Sequence, residues 1–273
     1  MKKVIRGFFI SSAVLILVGM AFILGAASMG VSWWSIGHNG VFSAVNRINW
    51  INVNGNATHY KEVRKDFSNK DVESVFIDVA SGSLIIEKSS DKDLHIVVES
   101  YYGQETRINV NDELLTIKNN THASDLKITM YLPSEKEFES FDIRFGAGVV
   151  KIYSDITTDF LNTDVGAGSF RCDGKIFSEK ATVKVGAGEI ELSSLRCENI
   201  ILDCAVGSIA VKVDGEKSDY SYEIDCAIGS VRIGDEKFGG LGQSLIRGNS
   251  EKEIKANCAV GEIKVDFTEK EYE

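Results

Sequence analysis

The stretch Asp164-Val165-Gly166-Ala167-Gly168-Ser169-Phe170-Arg171-Cys172 is followed by Lys184-Val185-Gly186-Ala187-Gly188-Glu189-Ile190-Glu191-Leu192 and by Asp203-Cys204-Ala205-Val206-Gly207-Ser208-Ile209-Ala210-Val211. The same arrangement returns at 225–233 and 257–265, and looser copies surround Gly82 and Gly148. The glycines at 148, 168, 188, 207 and 229 are separated by 20, 20, 19 and 22 residues, which makes an internal repeat. Counting from each glycine, positions minus five, minus three, minus one, plus two and plus four are apolar or small. Alternation of this kind puts one set of side chains on a shared face of a strand. The phase slips by one residue at each glycine, and a missing β-carbon eases the bend or bulge that such a slip requires. Each unit therefore reads as strand, corner, strand, with corners at Gly82, Gly148, Gly168, Gly188, Gly207, Gly229 and Gly261.

Stacked coils bring equivalent residues into columns about 4.8 Å apart. The minus-three column, expected to face inward, is Val79, Phe145, Val165, Val185, Cys204, Cys226 and Cys258. The minus-four column is expected to face outward and places Asp164 beside Lys184 and Lys184 beside Asp203, but then sets Asp203 beside Asp225. Ile156, Ile176 and Leu195 lie seven or eight residues after successive glycines, where a third side would turn inward. These columns predict an all-β, single-stranded parallel β-solenoid over residues 76–267. The alternative is an antiparallel β-sandwich, which has no need to repeat one glycine with one phase slip. Strand-like pieces between Gly82 and Gly148 end at Pro133 and contain no full copy of the motif. Gly261 is the expected last coil, and the span before it, with Gly239, Gly240 and Gly242, is the expected protruding loop.

Ahead of the repeats, Lys2, Lys3 and Arg6 precede a run from Gly7 to Val31 without a charged side chain, followed by Trp33 and Trp34. Such a run is long enough to cross a bilayer as a helix, and the positive-inside rule keeps its N-terminal end in the cytoplasm. A cleaved signal peptide ending near Ala26-Ala27-Ser28 is the alternative, although the apolar run exceeds the usual length. The expected organisation is a cytoplasmic tail (1–6), a transmembrane helix (7–31), a juxtamembrane stalk or N-terminal cap (32–75), the solenoid (76–267) and a charged tail (268–273). The bilayer is thus an expected partner through residues 7–31, and the single-pass protein would display its repeats outside the cytoplasm.

The formal net charge is −10, a poor match for nucleic acid. No EF-hand, P-loop, Gly-x-Ser-x-Gly elbow, His-Glu-x-x-His or dinucleotide fingerprint occurs, and no Cys-x-x-Cys or zinc-ligand spacing. Gly166-Ala167-Gly168 and Gly186-Ala187-Gly188 look like phosphate loops but lack a following helix pattern, so they read as coil corners. Cys204, Cys226 and Cys258 occupy a slot filled elsewhere by valine or phenylalanine, which makes them small buried hydrophobes with free thiols. No catalytic, cofactor or metal residues are expected.

The repeated Asp-Val-Gly-Ala-Gly-Ser and Asp-Cys-Ala-Val/Ile-Gly-Ser units, with the strand ending at Leu132-Pro133, resemble the adhesin-like bacterial β-strand-repeat family DUF4097 over roughly residues 75–267. The clearest copies are 164–169, 184–188, 203–208, 225–230 and 257–262. The resemblance implies an envelope protein and supplies no catalytic residues. With the columns above, it leads to the expectation of a membrane-anchored interaction, adhesion-like or scaffolding module that contacts an envelope protein or wall polymer. An accessory role in envelope-stress signalling is the alternative, and a carbohydrate-active enzyme the remote one.

Overall fold

Alternating apolar residues and a near absence of proline leave the chain little choice but extended structure. The computed structural model describes residues 60–268 apart from 102–105 and 122–124. They lie within one compact unit, residues 57–273. Among them are eleven strands: β1 (Tyr60–Phe67), β2 (Ser74–Lys88), β3 (Leu94–Tyr101), β4 (Arg107–Asn111), β5 (Leu114–Asn119), β6 (Lys127–Leu132), β7 (Glu137–Ile152), β8 (Ile156–Asp214), β9 (Tyr220–Ile233), β10 (Glu236–Arg247) and β11 (Lys252–Thr268). They form a single sheet in the order β1-β3-β6-β2-β7-β8-β11-β9-β10, with β5 beside β2 and β4 beside β5.

The middle of this sheet is a parallel solenoid. β2 pairs in parallel with β7, and β7 with β8, glycine on glycine: Gly82 faces Gly148, which faces Gly168. β8 runs for 59 residues through three successive corners. Gly168 and Gly207 have φ of +136° and +145°. A β-carbon on Gly207 would lie 2.0 Å from the carbonyl oxygen of Gly188, so the corner needs glycine for both conformation and space. The core is one column of buried side chains after another, including Ile77, Ile143 and Val183 at minus five and Leu84, Val150, Phe170 and Ile190 at plus two. Ile156, Ile176 and Leu195 are buried as the third side.

Both ends depart from the expected single-stranded parallel coil. At the N-terminal end, β5 and β6 together make a coil parallel to β2, on the side away from β7. That coil is flanked by antiparallel strands, β4 on β5 and β3 on β6, with β1 antiparallel to β3. At the C-terminal end, β11 is parallel to both β8 and β9 and lies between them, so Gly261 sits between Gly207 and Gly229 rather than at the end. The span read as a protruding loop is β10, antiparallel to β9. The cause is local connectivity. β9, β10 and β11 form their own three-stranded unit with β9 in the middle, and β11 is the edge that meets β8.

The expectation of a transmembrane helix is also corrected. Among the described residues no helix is long and apolar enough to cross a membrane. Residues 7–31 lie outside them. The bilayer partner, the signal-anchor and the single-pass topology therefore have no support in the structure.

Candidate interaction surface

Four residues make each corner, and they explain where side chains emerge. In every full copy the minus-three and plus-two residues are buried, while minus two, minus one, the glycine and plus one reach the surface. The predicted inward column of Val79, Phe145, Val165, Val185, Cys204, Cys226 and Cys258 is buried throughout. In stack order its last three members run Cys204, Cys258, Cys226, because Cys258 is in register with both neighbours. The five cysteines are free and buried. Burial pushes the thiols of Cys172 and Cys258 up to about 12 and that of Cys197 to about 11, which keeps them protonated and poorly nucleophilic.

The minus-one column was expected inside and is not. Ala147, Ala167, Ala187 and Val206 are half-buried, Val260 is 44% exposed and Ile228 is 56% exposed. The alternation therefore breaks two residues before the glycine, because the bend begins at minus two and already turns minus one outward. Sequence reasoning had the right residues in the wrong place. The signal available was the growth from alanine to valine and isoleucine along the column, which a tightly packed interior would not tolerate without compensation.

The outward minus-four column, read in true stacking order, is Lys118, Asp78, Arg144, Asp164, Lys184, Asp203, Asn257 and Asp225. Charge alternates rung by rung until Asn257 stands where a cation would fall. Lys118 meets Asp78 at 3.2 Å and Lys184 meets Asp203 at 3.5 Å. Asn257 Nδ2 donates to Asp203 Oδ1 at 2.7 Å. The unfavourable Asp203–Asp225 neighbour pair expected from the sequence does not form, because β11 separates the two carboxylates.

Beside this column runs an open trough of about 720 Å³. Its floor is made of the small minus-two residues Gly186, Ala205, Ala259 and Ala227. Asp164, Lys184, Asp203, Asn257 and Asp225 of that column line it, and Ser244 of β10 lines its C-terminal end. The exposed Val260 and Ile228 belong to the same corners. The surface is thus a row of small residues between a charged rail and an apolar ridge. Among the described residues no group of three or more His, Cys, Asp or Glu side chains is placed to hold a metal ion.

No curated protein matches the chain. Among solved structures, a "putative cell adhesion protein" from Clostridium sporogenes is 17% identical, with a TM-score of 0.45, and the match covers 77% of this chain and all of that one. A "putative adhesin" from Bacteroides fragilis is 16% identical with a TM-score of 0.41, covering 75% of this chain and 97% of that one. A "putative lipid binding protein" from Parabacteroides distasonis is 12% identical with a TM-score of 0.31, covering 78% of this chain and 98% of that one. The family model described as Toastrack DUF4097 matches residues 72–272. The chain belongs to the Toastrack DUF4097 family.

Proposed function

We propose that this domain is a non-catalytic interaction or scaffolding module that grips an extended segment of protein or wall polymer along the corner trough. The ridge of exposed Val260 and Ile228, continued by the half-buried Val206, carries the reading, since these apolar residues stand in register on adjacent coils where the fold has no use for them. Repetition at strand spacing offers an extended partner several weak contacts in a line, which add up without a deep pocket. Asp164 and Asp225, at the two ends of the rail along the trough, favour cationic or hydrogen-bond-donating groups on the facing side of the partner.

Ile228→Asp and Val260→Asp test the reading. Both positions are exposed, so the circular dichroism spectrum and melting temperature should hold. Co-sedimentation of the full chain with purified cell-wall sacculi, and crosslinking on intact bacterial cells read by mass spectrometry, should each fall by about tenfold or more for the double variant, the loss expected when two apolar anchors go. Equal capture by the variant and the parent chain would refute the ridge as the contact surface.

A further inference from the structure

We propose that Cys204, Cys258 and Cys226 form a binding site for a soft, thiophilic monovalent cation, Cu(I) among biological metals, held in line between the sulfurs of two adjacent coils with Cys258 as the shared ligand. The three cysteines are far apart in the chain, yet β11 brings them into one row. Cys258 is in register with Cys204 of β8 on one side and with Cys226 of β9 on the other. Its thiol hydrogen-bonds to the thiols of both neighbours. A β-carbon on Gly229 would lie 3.0 Å from Cys258 Sγ, which puts this sulfur against the corner of the next coil. All three residues line the corner trough, although none is more than 3% exposed. The sulfurs are thus shielded, in contact with one another, and next to the trough floor.

The shape of the row selects the ligand. A tetrahedral ion such as zinc needs four donors round a point. Among the described residues no three His, Cys, Asp or Glu side chains converge in that way. Calcium and magnesium take oxygen donors. A disulfide needs β-carbons about 3.5–4.5 Å apart and side chains aimed at each other, whereas parallel strands about 4.8 Å apart hold equivalent side chains side by side. Two metal–sulfur bonds in line, at about 2.3 Å each, span about 4.6 Å, which matches the strand spacing. Cu(I) is soft, prefers thiolate and is satisfied by two ligands in line.

Binding exchanges protons for the ion: one Cu(I) displaces the proton of each of two thiols and bonds to both sulfurs, with no change of oxidation state. Burial pushes the Cys258 thiol up to about 12, so only a strongly thiophilic ion displaces its proton at neutral pH, and affinity rises with pH. Asp203 and Asp225 line the same trough and draw a cation towards it. Elsewhere the column holds Val79, Phe145, Val165 and Val185, which offer no donor, so the site is confined to the seam of β8, β11 and β9.

Valine occupies the same slot in other coils, which makes valine variants conservative probes. The reduced full chain is titrated anaerobically with Cu(I) against a competing chelator, and uptake is read by thiolate-to-copper absorption in the ultraviolet and by native mass spectrometry. The parent chain should take up the ion. Cys258→Val leaves Cys204 and Cys226 two strand spacings apart, about 9.6 Å, and should lower affinity by at least about 100-fold, more than loss of an outer-shell partner costs. Cys204→Val and Cys226→Val each leave one adjacent pair and should each keep one ion, with circular dichroism confirming the fold. X-ray absorption of the loaded parent chain should show two sulfur neighbours, which tests the geometry without any substitution. Refusal of Cu(I) by the folded parent chain, undiminished uptake by Cys258→Val, loss in Cys226→Val while Cys258→Val still binds, or copper with three or more ligands or with nitrogen or oxygen donors would each overturn the proposal.

Discussion

Asn257 shows how a single side chain can adjust a surface ladder. It stands between Asp203 and Asp225 on adjacent strands, donates to Asp203, and replaces a like-charge pair with a neutral spacer. Like charges directly opposite each other in a sheet cost a few tenths of a kcal/mol up to about 1 at exposed positions. Asn257→Asp therefore puts three carboxylates in a row and should lower stability by about 1 kcal/mol at neutral pH. Asn257→Lys completes the alternation and should be neutral or stabilising. Urea unfolding of the two variants at neutral pH measures both, and equal stability of the two would show that the rungs do not communicate. The role of this residue was invisible in the sequence. It depends on which copy of the motif lies against which, and the motifs themselves are nearly identical.

At the scale of elements, β1 is held to β3 by a histidine between two carboxylates. His95 of β3 places Nδ1 2.6 Å from Asp66 of β1 and Nε2 2.9 Å from Asp91 of the preceding loop. Burial would lower the His95 pKa, but the hydrogen bonds to Asp91 and Asp66 outweigh it and raise the value above the usual 6.5. Asp66 is held below the usual carboxylate range by His95 and then Arg64, and Asp91 by the Asp93 backbone N–H and then His95. A raised histidine stabilises fully below its unfolded value, and that contribution is lost as pH rises through the folded value. The lowered aspartates stabilise above their unfolded values, and lose the contribution as pH falls through the folded ones. Pairing of β1 should thus be firmest in the interval between, and should loosen as pH rises past the His95 value. Hydrogen exchange across β1 at several pH values should show the loosening in the parent chain and a flat profile over that range in His95→Gln. A parent profile as flat as the variant's would remove the pairing role. None of this was legible in the sequence, since Asp66 and His95 meet only through the antiparallel register of β1 on β3.

For the whole molecule, the corner glycines and the buried columns at minus three and plus two were readable, because a period-two pattern broken by glycine has few physical realisations. The order of the coils was not. Asp203-Cys204-Ala205, Asp225-Cys226-Ala227 and Asn257-Cys258-Ala259 present matching edges, so any one of them pairs acceptably with any other. Chain connectivity arbitrates: β9, β10 and β11 assemble with β9 in the middle, and β11 becomes the seam to β8. A terminal coil could be removed with loss only of its own contacts, but β11 is interior and contributes the buried Ile254, Ala256, Cys258, Ile263 and Val265 between two neighbours. A chain ending after Glu251 must either leave β9 and β10 detached or press Asp225 against Asp203. Detachment is expected, because the strand pairing that joins β9 to β8 runs through β11, and the bond from Ser221 to the Lys252 carbonyl goes with it. Limited proteolysis should then cut between Asp214 and Tyr220, and the melting temperature should fall by at least about 10 °C, the shift for a loss of several kcal/mol in a domain of this size. A truncated chain that resists cleavage there and melts like the parent would mean that β9 closes directly onto β8, and that the seam is exchangeable.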